Sequence, residues 1–263
     1  MVNFQNYVRP GSLEEAYELN QNKKNKIVAG MLWLREGDSS YNTAIDLCEL
    51  GLNNIEETAE EFSIGAMVTL RQLELHKGLN DYTNGAVKNA VKDIVGVQFR
   101  NMATIGGSLY GRFGFSDVLT VFLATDCYVE LYKGGIVSLN EFSKMKYDND
   151  ILVKVIVKKT PGRFVYTSMR ATRTDFPIIA LCISNINGKI KASVGARPSK
   201  AILIEDSNCV LGTDITEEKA DEFAKLLAEN VPTGSNSRAS SEYRTHLIRV
   251  LAKRSLLDMG GAY

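Results

Sequence analysis

The sequence predicts an α+β chain: two α+β units followed by a strand meander packed with two helices. Three observations carry this. Over residues 1–162, apolar runs of strand length alternate with stretches of helical spacing. From 163 onward three apolar runs follow one another, with Asn187-Gly188 between the second and third, a strong short-range hairpin signal. Two longer helix signals then close the chain.

The elements follow in order. Pro10-Gly11 is a turn, and Ser12 with Glu15 three positions on forms a capping box that opens a helix over Leu13–Asn22. A basic polar turn, Lys23 to Lys26, leads to a strand at Ile27–Ala29, stopped by Gly30, and a second apolar run covers Ala44–Leu47. Glu61–Ala66 reads as a strand ending in small residues. Thr69 then caps a helix from Leu70 to about His76. Apolar spacing predicts a helix from Gly85 or Ala86 to Ile94, and another at Asp117–Ala124. Between them Asn101–Ser108 is rich in small residues, and its Thr104–Ser108 part reads as a glycine turn. Cys127–Tyr132, the Gly134-Gly135 turn and Ile136–Leu139 make a hairpin, and Ile151–Val157 is a strand. The meander consists of Phe164–Arg170, Ile178–Ile186 and Ile190–Ala196, and the closing helices span Thr216–Glu229 and Ser240–Leu257.

Composition excludes several function classes. Lys plus Arg number 31 and Asp plus Glu 31, a formal net charge of zero with His neutral. A nucleic-acid binder or a polybasic membrane-surface protein relies on excess positive charge, so neither is expected. Two histidines, His76 and His246, leave little for a His-rich metal site. The four cysteines contain no CxxC pair, so no iron–sulfur cluster held wholly by this chain is expected. Cys48, Cys127 and Cys182 sit among apolar neighbours and read as buried reduced thiols of a cytoplasmic protein. Neither a targeting segment nor a membrane span is expected.

Two glycine turns stand out, Val28-Ala29-Gly30 and Thr104-Ile105-Gly106-Gly107-Ser108. Small residues let a backbone approach a phosphate closely and aim successive N–H groups at it. Neither turn has the spacing of a Rossmann fingerprint or a P-loop. The order of the segments says more. Phe4-x-x-Tyr7-x-x-Pro10-x-Ser12-Leu13-Glu14-Glu15-Ala16 opens the chain, Ile64-Gly65-Ala66-x-x-Thr69 follows, then Gln98-Phe99-Arg100-Asn101-Met102-Ala103-Thr104-Ile105-Gly106-Gly107-Ser108 with Ser116-Asp117. Ser240-Ser241-Glu242-Tyr243-Arg244 and Arg254 stand near the end. Together these resemble the FAD-binding, or medium, subunit of the molybdenum hydroxylases, a family that includes xanthine, carbon monoxide and nicotinate dehydrogenases. The 98–108 segment is similar to the family signature QIRNxATIGGN, and the resemblance spans nearly the whole chain.

The resemblance implies a vanillyl-alcohol-oxidase (PCMH) type FAD domain over residues 1–162, with subdomains of about 1–55 and 56–162. A small α+β domain of three strands and helices over 163–263 completes the expected fold. It implies that FAD lies between the two subdomains, held by Ala29, Gly30, Met31, Leu32, Trp33 and Leu34, by Ala66 and Thr69, and by Ala103, Thr104, Ile105, Gly106, Gly107 and Ser108. Asp117 would bond the ribityl chain, and Ile94, Ile151 and Leu152 would lie near the flavin ring. Asp175-Phe176-Pro177 would form a loop beside it. The implied function is that of an oxidoreductase subunit passing electrons from [2Fe–2S] clusters through FAD to NAD or another acceptor. The molybdopterin and the clusters would be on partner chains, a molybdenum-containing large subunit and a [2Fe–2S] small subunit. This chain would need no catalytic side chain.

One stretch departs from the family, whose first phosphate loop reads A-G-G-T-[DE]-L. Here Met31, Leu32 and Trp33 stand where that loop has its second glycine, threonine and acid. Two readings follow: FAD still binds, with Trp33 either core beside Leu34 or stacked on a ring, or the chain is a flavin-free structural subunit of such a complex. A stand-alone flavin oxidoreductase would need a larger substrate domain than the residues after 163 provide. Arg163, Arg170, Arg173 and Arg197 form a basic group that is either a partner contact or a set of solvated strand ends.

Overall fold

A computed structural model describes residues 1–206, 211 and 215–260. The first unit consists of β1 (Asn3–Val8), α1 (Leu13–Asn20), β2 (Asn25–Val28) and β3 (Ser40–Asp46). Its three strands pair in parallel in the order β1-β3-β2. Ser12 caps α1 by accepting from the Glu15 N–H at 3.1 Å. Ala16 and Ile45 form a small core with Ile151 of the next unit, tying the two together.

The second unit runs β4 (Ile55–Glu57), β5 (Glu61–Gly65), α2 (Leu70–Leu75), α3 (Lys77–Tyr82), α4 (Ala86–Val91), α5 (Val97–Met102), α6 (Ile105–Gly111), α7 (Asp117–Leu123), β6 (Cys127–Leu131), β7 (Gly135–Ser138), α8 (Leu139–Lys144) and β8 (Leu152–Lys158). Its strands form an antiparallel sheet in the order β4-β5-β8-β6-β7. The third part is β9 (Gly162–Arg170), β10 (Pro177–Ile186), β11 (Lys189–Gly195), β12 (Ile202–Glu205), α9 (Glu217–Asn230) and α10 (Ser241–Gly260). The three predicted strands are joined at the edge by the short β12. Asn187 and Gly188 hold φ of 50° and 80°, the left-handed pair that a two-residue hairpin turn requires.

Strand β10 is buried on both faces, which is why it reads as an unbroken apolar run. Ile179, Leu181 and Ile183 face a core shared with Phe223 and Leu227 of α9 and Ile248 and Leu251 of α10. Ala180 and Cys182 face the other way, into the core of the second unit with Val87, Phe122 and Val157. Helices α4 and α7 therefore sit between two antiparallel sheets.

Several expectations are corrected here. Thr104–Ser108 is not a glycine turn but the start of a short helix, α6, capped by Thr104 and preceded by another, α5. Helix α2 runs Leu70–Leu75 as expected, but a further helix that was not expected, α3, follows it, opened by His76, whose Nδ1 accepts from the Leu79 N–H at 3.1 Å. Cys127 and Cys182 are buried, but Cys48 is exposed. It lies just past β3, where the apolar run has ended. Cys209 lies outside the described residues. The four arginines do not form one basic group: Arg163 donates to the Met259 carbonyl, Arg170 pairs with Asp117, Arg173 with Asp93, and Arg197 donates to the Lys200 and Pro232 carbonyls.

Candidate cofactor site

The three parts of the chain meet around one cavity of 1090 Å³. That is the size of a site for a dinucleotide, at the upper end of the roughly 300–1,000 Å³ that hold drug-sized ligands. The first unit contributes residues 28–34 and the second contributes Ala66, residues 103–104, 106–108, 110–111, 113 and 115–118, and residues 147–152. The third contributes Arg170, Asp175 and Phe176.

The floor is built by two segments that pair tightly. The Leu70 N–H donates to the Ala103 carbonyl at 2.8 Å, Ile105 to Val68 at 2.9 Å and Gly106 to Ala66 at 2.9 Å. A side chain at Gly106 would put its Cβ 2.6 Å from the Ala66 carbonyl oxygen, so glycine allows this approach. Thr104 caps α6, its Oγ1 accepting from the Gly107 N–H at 3.1 Å. The backbone donors from Ile105 to Ser108 are thus spent on the protein itself.

Arg100 of the signature fixes this floor from below. It is buried, its Nε lies 2.8 Å from Glu74 Oε2 on α2, and Nη1 donates to the Ile94 carbonyl at 3.1 Å. Burial raises the Glu74 carboxyl, but hydrogen bonds and charge from Arg100 and Arg71 outweigh it and hold the carboxyl below its ordinary value.

The opposite wall is the loop after β2. Gly30 leans on the end of α5: a Cβ there would lie 2.1 Å from the Met102 carbonyl oxygen. Met31 adopts φ 55°, the left-handed conformation normally left to glycine. Among the described residues, nothing accepts a hydrogen bond from the N–H groups of Gly30, Met31, Leu32 or Trp33. Four consecutive free donors beside a left-handed residue, on a cavity, form a concave N–H cradle suited to an anion such as a diphosphate.

Trp33 extends from this cradle into a group of rings. Its centroid lies 5.9 Å from Phe99, 6.5 Å from Phe113, 5.1 Å from Phe115 and 5.3 Å from Phe176. Asp117 is buried at the start of α7. Arg170 Nη2 lies 2.8 Å from its Oδ1, and the Tyr166 hydroxyl donates to the same oxygen. Burial pushes the Asp117 carboxyl up, against the opposing pull of Arg170 and Tyr166. Asp117 lines the cavity, where its carboxylate can accept from a ligand hydroxyl.

Of the residues the sequence singled out, Ala29 to Leu34, Ala66, Ala103, Thr104, Gly106, Gly107, Ser108, Asp117, Ile151 and Leu152 line the cavity, as does Ile94. Thr69 and Ile105 do not. The Thr69 hydroxyl is spent capping α2 in a capping box with Gln72, and the Ile105 side chain points into the core. Sequence reasoning missed the aromatic lining, Phe99, Tyr110, Phe113, Phe115 and Tyr147. Phe99 within the signature and the pair Phe113 and Phe115 a few residues after it were its visible traces. Among the described residues, no three His, Cys, Asp or Glu side chains gather to hold a metal ion, and no helix is long and apolar enough to cross a membrane.

Residues 2–159 match the family described as the FAD binding domain in molybdopterin dehydrogenase, and residues 164–259 match the CO dehydrogenase flavoprotein C-terminal domain. The chain is 24% identical over 276 residues to the nicotine 6-hydroxylase medium subunit of Paenarthrobacter nicotinovorans, covering 97% of this chain and 96% of that one. It is 25% identical over 281 residues to the glyceraldehyde dehydrogenase medium chain of Sulfolobus acidocaldarius, covering 96% and 97%. Its fold is that of a chain of quinoline 2-oxidoreductase from Pseudomonas putida 86, with a TM-score of 0.87 at 19% identity over 98% of this chain and 97% of that one. With the first domain match spanning more than half of its length, the chain belongs to the family of the FAD binding domain in molybdopterin dehydrogenase, followed by the CO dehydrogenase flavoprotein C-terminal domain.

Proposed function

We propose that this chain binds FAD in the 1090 Å³ cavity and serves as the flavoprotein component of a cytoplasmic multisubunit oxidoreductase. Its partners in that reading are a molybdenum-containing large subunit and a [2Fe–2S] small subunit, with NAD or another soluble molecule as electron acceptor. The observation that carries the proposal is the row of free N–H groups from Gly30 to Trp33. Backbone donors left unpaired at a cavity wall cost stability unless water or a ligand meets them. A diphosphate held there would offer them acceptors.

When bound, FAD supplies the passage between one-electron and two-electron transfer. The chain's own residues do the rest. The cradle fixes the diphosphate, and the Asp117 carboxylate can accept from a hydroxyl of the sugar-like chain. Arg170 and Tyr166 keep Asp117 in place. Ile94, Ile151 and Leu152 supply an apolar wall that excludes water from a bound ring. Arg100 and Glu74 hold α5 and α2 together, and so hold the floor where Gly106 lets the Ala66 backbone approach.

The departure at Met31 and Leu32 favours a second reading, a flavin-free structural subunit. Leu32 brings no hydroxyl, and Met31 carries a side chain where the backbone is left-handed. The cradle survives both changes, because it is made of backbone N–H groups and Met31 keeps the conformation it needs. The test is affinity purification of the tagged chain from its own cells, with metal analysis and anaerobic addition of NADH. Recovery of molybdenum, iron and flavin, with NADH bleaching the flavin, supports the proposal. Molybdenum and iron without flavin support the structural subunit. A solitary chain that turns over a substrate of its own refutes both.

A further inference from the structure

Resting on FAD as the ligand, we propose that Trp33 is a binding residue that stacks on a planar heterocycle of the dinucleotide. Three observations meet at this side chain. It lines the cavity, and its own backbone N–H is the last of the free donors in the cradle. A ring attached to a diphosphate held there lies within reach of the indole.

The packing of the indole is the second observation. Four phenylalanine rings surround it, at interplanar angles of 65° for Phe99, 56° for Phe113, 58° for Phe115 and 36° for Phe176. None lies parallel to it. Phe113 and Phe115 do stack on each other, at 7° and 5.2 Å, so the same group shows what a filled face looks like. The phenylalanines grip the indole by edges and tilted contacts and fix its orientation, and they leave no parallel partner on its faces. The third observation is exposure: Trp33 remains 38% accessible inside this group. A core tryptophan would be covered. An aromatic side chain held rigidly, bordering a cavity and lacking a stacked neighbour, is a platform for a flat π system.

This platform also accounts for the altered loop. Leu32 and Trp33 together replace a hydroxyl and a carboxylate by apolar surface. Stacking supplies binding energy that needs neither group, and about a tenfold gain in affinity is ordinary for one heterocycle on one aromatic side chain. Flavin and adenine are both flat heterocycles, so the two halves of FAD are tested separately, with riboflavin 5′-phosphate and ADP as probes.

Trp33 is the only tryptophan in the chain, so its modification can be followed without a variant. The rate of Trp33 oxidation by N-bromosuccinimide, read by mass spectrometry of the peptide, is measured on the whole protein alone and with saturating FAD, riboflavin 5′-phosphate or ADP. The expected result is protection by FAD and by one of the two fragments, and that fragment names the ring. In parallel, Trp33→Leu binds FAD about tenfold more weakly by calorimetry, while Trp33→Phe stays within about threefold of wild type. Unchanged oxidation with FAD demonstrably bound, or a folded Trp33→Leu variant that binds FAD as tightly as wild type, overturns the stacking role and leaves FAD binding standing. A wild type that takes up no FAD in the calorimeter overturns the proposed function, and the stacking role with it.

Discussion

Replacing Gly30 by alanine sets two effects against each other. Gly30 does not have a left-handed φ, so its backbone conformation is open to alanine. On entropy alone, Gly→Ala at such a position stabilises by about 0.4–1 kcal/mol. The structure reverses the sign. The new Cβ would lie 2.1 Å from the Met102 carbonyl oxygen and 2.5 Å from its carbon, both backbone atoms at the end of α5. Carbon and oxygen tolerate about 3.2 Å, so the loop must retreat by roughly 1 Å. A hydrogen bond of about 2.9 Å stretched by that much is no longer one. Losing even one charge-assisted bond from the cradle to a diphosphate costs about 1.5–3 kcal/mol, a tenfold to hundredfold loss in affinity. Calorimetric titration of apoprotein with FAD, paired with a thermal melt of each apoprotein, measures both sides. The expected outcome is FAD binding weakened at least tenfold. A Gly30→Ala protein that binds FAD within threefold of wild type and melts at or above its temperature refutes the cradle.

Three further perturbations test the framework. The folded Glu74 carboxyl lies below its ordinary value, so its contribution to stability is complete above the usual glutamate range of about 4.3 and disappears as pH falls through the folded value. Glu74→Gln is therefore less stable than wild type at pH 7, by roughly 3 kcal/mol in urea unfolding, and the gap narrows below about pH 4. A gap independent of pH would show that the Arg100 pair is not what matters. Asp117→Asn strips the buried Arg170 of its counter-charge and lowers the melting temperature, and pairing it with Arg170→Met restores part of the loss. Full additivity of the two changes would argue against coupling. Gly188→Ala meets nothing within 4 Å, yet at φ +80° it costs about 1–2 kcal/mol, seen as a lower denaturation midpoint. An unchanged midpoint would contradict the left-handed turn.

What could be read from the sequence depended on where the information lies. Helices α4 and α9 were legible because one-sided burial imposes a period on their side chains, and β10 and α7 because burial all round makes them nearly continuous apolar runs. Strand β1 was not, because it is largely exposed along its length and carries no period of its own. Its partner β3 selects it instead. The residues flanking the site were legible as a motif, but the motif did not reveal what each does. Gly106 is small because Ala66 presses on it, Arg100 is charged because Glu74 waits on another helix, and Thr69 caps a helix and does not touch the cavity. The Thr69 cap is local, made with Gln72, whereas the first two reasons are tertiary, Arg100 and Glu74 lying 26 residues apart. The aromatic lining was hidden for the same reason: Trp33, Phe99, Phe115 and Phe176 come from four separate segments that only the fold brings together. In the other direction, Met31, which stands where the family loop has a glycine, does adopt the left-handed conformation that favours glycine.

The most direct test of FAD binding is the flavin content of the purified chain. The protein is isolated without added cofactor, its visible absorbance is recorded, and the released cofactor is identified by chromatography. The account predicts a yellow protein, or a colourless one that takes up added FAD to about one equivalent per chain. A colourless chain that remains so after incubation with excess FAD would contradict it.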